Sequence, residues 1–220
     1  MIVLLFMACA DITPIEDGRQ FGPVVVLKDW FTSAALLPTE PGPVLIDAGF
    51  REGNMTDALA SQGVEPSEII AVLMTHGHSD HLGALGLYTN ASIYALAEEA
   101  AIIEEESEGA VTPDIFLSDG EHLVFGQYTI EVFSAPGHTP GNTTYFVDGV
   151  LLMGDTAQIT RDGQLTPVAE KHSEDPAQAE AALSALAEEL EPRREEIEWL
   201  VPAHSGAAVG LDPLLEYAGR

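Results

Sequence analysis

Between residues 76 and 81 the chain reads HGHSDH, placing His76, His78, Asp80 and His81 on one short stretch. Four side chains that bind metals well, packed this closely, need a scaffold that holds a loop rigidly and lets its side chains converge. An apolar run of strand length, Ile69–Met74, leads directly into the stretch. Along an extended loop alternate residues point the same way. His76 and His78 are therefore expected to share one ion, with Asp80 and the adjacent His81 turned toward a second. Three more residues stand in comparable settings: His138 in PGHTPGN, Asp155 in GDT and His204 in PAHSG. Each lies beside small residues that let the backbone approach closely, and each follows an apolar run of strand length.

The ligand chemistry is restricted further by the single cysteine, Cys9. No internal disulfide and no thiolate-rich metal site can form. The ions must be held by imidazole and carboxylate, a donor set that suits zinc first and also accepts iron or manganese. A catalytic zinc takes about three protein ligands and leaves one position open. Seven ligands therefore suffice for two ions if one carboxylate is shared. Of the other histidines, His122 opens an expected hairpin and reads as solvated. His172 lies between Asp155 and His204 in the chain, within reach of the site, and reads as a bystander.

Around these residues strands and helices alternate. Strands are expected at Val24–Leu27, Ala34–Leu37, Val44–Ile46 and Ile69–Met74, and helices at Asn54–Gln62 and in the acidic segment Ala97–Glu108. Two hairpins follow: Leu123–Phe125 with Tyr128–Phe133 around Gly126-Gln127, and Thr143–Val147 with Val150–Met153 around Asp148-Gly149, a type I′ signature. Asp175-Pro176 opens a long helix running to about Leu190, proline being favoured at the first helical position. Trp199–Val201 is a last short strand and Leu214–Tyr217 a terminal helical turn. Hairpins and helices in both halves imply an α/β architecture of two packed sheets with helices outside, an αββα sandwich, over residues 21–220. Residues 1–20 begin with the apolar MIVLLFMACA, too short to span a bilayer. Two readings stand: a lipoprotein-type signal with lipidation at Cys9, which would be the protein's one route to a membrane and would place it in a bacterial cell envelope, or an extra N-terminal strand.

The 36 acidic residues against 8 basic ones give a net charge of −28. Such a surface repels phosphate backbones, and no Lys or Arg lies between Arg51 and Arg161. A nucleic-acid partner is therefore not expected, and a small-molecule substrate is.

HGHSDH, PGHTPGN, GDT and PAHSG, in that order, resemble the metallo-β-lactamase-fold hydrolase superfamily from about Val24 to His204. The resemblance implies His76, His78 and His138 on one metal, Asp80, His81 and His204 on a second, and Asp155 bridging them. It also implies hydrolysis of an ester, thioester, lactone or related bond by a metal-bridging hydroxide, with Asp80 orienting its proton. The shared aspartate separates the chain from true β-lactamases. Acyl-homoserine lactonases carry a tyrosine where this chain has Gln158. THGHSDHLGALGLY, GDTAQITRDG and HSEDPAQAE are similar to the metallo-β-lactamase-domain-containing protein 1 group, relatives of which are linked to RNA cleavage. Three alternatives go with these likenesses: an iron persulfide dioxygenase holding one ion through His76, His138 and Asp155, a metal-dependent endoribonuclease, and a non-catalytic metal-binding lipoprotein.

Overall fold

The computed structural model describes residues 12–220. Cys9 and the apolar N-terminal segment, on which the lipidation and extra-strand readings rest, lie outside the described residues.

Two sheets face each other. The first runs in chain order through β1 (Gln20–Phe21), β2 (Val24–Asp29), β3 (Thr32–Leu37), β4 (Val44–Ile46), β5 (Ala71–Leu73), β6 (Ser92–Leu96) and β7 (Ile115–Leu117). It is antiparallel from β1 to β4 and parallel from β4 to β7. The second contains the hairpins β8 (His122–Phe125) with β9 (Tyr128–Ser134) and β10 (Thr143–Val147) with β11 (Val150–Gly154). A small separate hairpin, β12 (Gln158–Ile159) and β13 (Leu165–Thr166), follows. The second sheet is then completed by β14 (Trp199–Pro202), parallel to β11, and β15 (Ala208–Val209). At the Asp148-Gly149 turn both residues have positive φ, 42° and 87°, as a type I′ hairpin requires.

Helices cover both outer faces: α1 (Glu52–Ser61), the single turn α2 (Ser79–Leu82) and α3 (Ala100–Glu106) go with the first half, α4 (Pro176–Leu190) and α5 (Asp212–Tyr217) with the second. The strand sequences explain the four layers. Along β4, Val44 and Ile46 face the second sheet, and Leu45 packs outward among Met55, Leu59 and Ile103. Along β11, Val150 and Leu152 face the first sheet, and Leu151 and Met153 pack outward against Leu183, Leu186 and Leu190. A strand buried on both faces has no polar side to show, so these strands read as unbroken apolar runs. The chain thus has the expected αββα layering.

Local differences from the sequence reading have physical causes. The acidic segment divides into a 3₁₀ turn, Ala97–Glu99, followed by α3. The strands β6 and β7 are not expected from the sequence: SIYAL opens on a polar residue and has three of its five residues only partly buried, and IFL is three residues long with two exposed. The metal-ligand stretch is extended only through His78; Asp80 and His81 lie on the helical turn α2. That turn, rather than strand-like alternation, brings Asp80 and His81 to His204, while the His81 ring stays 4.1 Å from that of His76.

Candidate metal centre

All seven ligand-type residues stand on loops or turns that follow strands of both sheets: β5 for His76–His81, β9 for His138, β11 for Asp155 and β14 for His204. The structure brings them together in two groups, His76–His78–His138 and Asp80–His81–His204, overlapped by a third in which His76 and His81 meet Asp155. His76 Nε2 and His78 Nδ1 lie 3.2 and 3.0 Å from His138 Nε2. His81 Nε2 and Asp80 Oδ2 each lie 3.2 Å from His204 Nε2. Asp155 stands between the groups. Its Oδ1 is 3.3 Å from His81 Nε2 and 3.2 Å from His204 Nε2, while its Oδ2 is 3.5 Å from His138 Nε2.

These distances test the fit of a metal. Bonds of about 2.0–2.1 Å in a tetrahedron put neighbouring ligands roughly 3.3 Å apart, close to what is observed. Three imidazole nitrogens converging on one point cannot all hydrogen-bond one another. Asp155 Oδ1 is buried without a hydrogen bond of good geometry, an arrangement that a cation would resolve. Glycine makes the approach possible. Gly154, at φ 50°, lies where an added Cβ would stand 2.6 Å from Thr75 Cβ, so the Asp155 loop closes against the residue preceding His76.

Several contacts fix the rings. His81 Nδ1 meets Asp47 Oδ2 at 2.8 Å, and Asp47 also accepts from the Thr75 N–H and hydroxyl at 2.7 and 2.8 Å. The Thr75 hydroxyl, its proton engaged by Asp47, accepts from His76 Nδ1 at 3.1 Å. His204 Nδ1 donates to the Phe31 carbonyl at 2.9 Å. In each case the partner holds the proton on Nδ1 and turns Nε2 inward, the nitrogen that a metal would take. Glu99, 1 % exposed, accepts from the Gly77 N–H, the Gly141 N–H and the Thr139 hydroxyl, each at 2.8 Å. It ties the His76–His78 loop to the His138 loop. The sequence reading missed both carboxylates. Asp47 carried one signal, a charged residue closing the apolar run Val44–Ile46. Glu99 carried none, sitting in a run of acidic residues that reads as a solvated helix face. His172 and His122 are exposed and outside both groups.

Electrostatics divide the centre. Burial holds His76 well below its ordinary pKa and brings His138 down to about 4. Both are neutral and ready to coordinate. Burial also opposes charge on His81 and His204, but Asp47 and Asp155 raise His81 well above its usual value, and Asp155 with Asp80 holds His204 at about 10. Burial works against the Asp155 charge, yet His204 and His81 keep its carboxyl well below the usual range.

One side of the centre is aromatic. The two-residue turn between β2 and β3 presents Trp30 and Phe31, which are 55 % and 44 % exposed. The Phe31 ring stacks on the His204 imidazole, centroids 5.6 Å apart and planes at 13°. Trp30 has φ 61°, rare for a bulky residue. The turn is anchored by Asp29, which accepts from the Phe50 and Arg51 N–H groups and from Asn54 Nδ2 at the start of α1.

Comparison with known proteins agrees with this architecture. The chain is 35 % identical over 125 residues to the mouse (Mus musculus) metallo-beta-lactamase domain-containing protein 1, covering 56 % of this chain and 44 % of that protein. It is 32 % identical over 175 residues to the hydroxyacylglutathione hydrolase of Anaeromyxobacter dehalogenans, covering 79 % and 60 %. The chain thus spans about half the length of these relatives. The solved metallo-beta-lactamase from Pontibacter korlensis superimposes with a TM-score of 0.74 over 93 % of this chain and 97 % of that one; at 18 % identity it shares the fold. A sequence profile of the metallo-beta-lactamase superfamily matches residues 27–204, from β2 through the candidate ligand His204, and the chain belongs to that superfamily.

Proposed function

We propose that the protein is a metal-dependent hydrolase that holds two divalent ions, zinc first among them, and cleaves a small ester, thioester, lactone or related bond. His76, His78 and His138 would hold one ion, Asp80, His81 and His204 the other, and Asp155 would bridge. The observation that carries this reading is Asp155: one oxygen faces His81 and His204, and the other faces His138. Bound ions in such a pair supply Lewis acidity and lower the pKa of water to near neutrality.

The chain's own residues then act as follows. His81 and His204 must give up their Nε2 protons to serve as ligands, and the Asp47 and Phe31 contacts keep each ring oriented when they do. Burial disfavours the Asp80 charge, but its contact with His204 keeps the carboxyl below its usual range. At neutral pH Asp80 is therefore an ionised acceptor, able to orient the proton of the attacking water. The strand-end loops fix these groups on a rigid base, so little reorganisation is needed at the moment of reaction. A small-molecule substrate fits the acidic surface better than RNA, whose phosphates require Lys and Arg contacts.

The test is elemental analysis of protein purified without added metal, followed by turnover of lactone, thioester, β-lactam and phosphodiester substrates. Two ions per chain and carboxyl-type hydrolysis are expected. A single iron with persulfide oxidation, or efficient metal-dependent RNA cleavage, would overturn the reading.

A further inference from the structure

Of the six arginines, Arg51 and Arg161 form no ion pair among the described residues; Arg161 donates to the Ile12 carbonyl, and Arg51 is the one that lies over aromatic rings leading to His204. Arg19, Arg193, Arg194 and Arg220 each pair with a carboxylate. Arg51 is exposed and, among the described residues, forms no ion pair, although acidic residues outnumber basic ones 36 to 8. Its guanidinium lies instead over aromatic rings, 4.1 Å from the Trp30 centroid and 5.4 Å from that of Phe50. The Arg51 and Phe50 N–H groups both donate to Asp29, at the base of the turn that carries Trp30. One buried carboxylate therefore fixes the backbone on both sides of the stack. The rings run on toward the metal centre: Trp30 meets Phe31 at 4.9 Å, and Phe31 stacks on His204.

We propose that Arg51 is an anion-recognition residue of the substrate site. It would take the carboxylate of a substrate whose apolar body lies along Trp30 and Phe31 and whose acyl carbon reaches the His204 side of the metal centre. This deepens the hydrolase reading and rests on it for the word substrate. The class is a small ester, thioester or lactone bearing one carboxylate on an aryl or alkyl arm. The chemistry follows from the setting. A guanidinium presents a planar fork matched to a carboxylate. Ring faces on one side limit its hydration and its rotamers without neutralising it. The surrounding protein repels anions, so a cation without an ion-pair partner among the described residues, two rings away from His204, selects where a negative group can settle.

Two measurements test this. Binding of benzoate and of benzyl alcohol to the purified protein is followed by tryptophan fluorescence. The chain's other tryptophan, Trp199, is on β14, and Trp30→Phe assigns the signal. Arg51→Gln is expected to weaken benzoate by about tenfold more than benzyl alcohol, with Arg51→Lys in between. With metal-loaded enzyme, the same substitution is expected to raise KM for a carboxylate-bearing aryl ester about tenfold more than for its neutral counterpart, acting on KM rather than kcat. Equal effects on charged and neutral partners, or none on either, would overturn the proposal. If the wild-type protein hydrolyses no ester, thioester or lactone, the hydrolase reading falls, and the benzoate comparison still decides the role of Arg51.

Discussion

Asp47 Oδ2 lies 2.8 Å from His81 Nδ1, joining the end of β4 to the α2 turn across the floor of the metal centre. Both residues are buried, and the same carboxylate anchors Thr75, which orients His76. One side chain therefore sets the rings of both ligand groups. Asp47→Ala is expected to weaken metal binding by about 10–100-fold, as the loss of outer partners of ligating histidines does. The effect should be larger at the His81 site than at the His76 site, which it reaches only through Thr75. Competition with a chromophoric chelator would measure it, and undiminished affinity at both sites would contradict this role.

Asp155→Asn keeps the size of the shared side chain but removes its charge and one good metal oxygen. It should weaken binding chiefly at one site and lower turnover on the order of 100-fold or more, the scale of removing one strong electrostatic stabiliser. His172→Ala, on an exposed residue, serves as the comparison and should change little. Retention of both metals and near-full rate in Asp155→Asn would rule out the bridge.

Glu99 carries a stability prediction. Glu99→Gln replaces an acceptor of three hydrogen bonds with a group whose NH2 must face an N–H or O–H donor. Leaving one such buried donor unpaired costs about 1–3 kcal/mol. Gly141→Ala attacks the same clamp from the other side, since its Cβ would stand 2.6 Å from Glu99 N, and overpacking of this kind costs roughly 1–3 kcal/mol. Chemical denaturation of the metal-free variants reads both, and stability equal to wild type in both would remove Glu99 as the tie between loops.

The two ligand groups should differ in their response to pH. Metal binding at the Asp80–His81–His204 site must displace protons, because carboxylates hold the His204 pKa at about 10 and the His81 pKa well above the ordinary imidazole range. Apparent affinity there should rise with pH through neutrality. The other site, with His138 at about 4 and His76 lower than usual, should be nearly insensitive to His138 protonation above about pH 5. In metal-free protein the sign reverses for stability. A raised histidine pKa contributes stability that is fully present below about 6.5, the unfolded value, and is lost as pH rises through about 10. Calorimetric titration of zinc in buffers of different ionisation enthalpy would count the protons released. Equal pH dependence at the two sites would contradict this division.

The sequence alone determined the donor set and the layering. HGHSDH, His138, Asp155 and His204 are chemically conspicuous, and with one cysteine no thiolate-rich site competes. Strands and helices alternate in both halves, with a hairpin signature in the second strand block, and that order implies two packed sheets with helices outside. What depended on tertiary structure was how these residues meet. His81 and His204 are separated by 123 positions and stand 3.2 Å apart because β5 and β14 belong to different sheets whose loops close at one edge. Asp47 and Glu99 gave little sign of their roles because an isolated acidic residue looks the same in sequence whether solvated or buried. Only packing removes the water and leaves the carboxylate to the backbone N–H groups and imidazoles around it. The same holds for Arg51. Its charge was legible from the sequence, but its place over Trp30, with no ion pair among the described residues, exists only once the turn after β2 and the start of α1 are held together by Asp29.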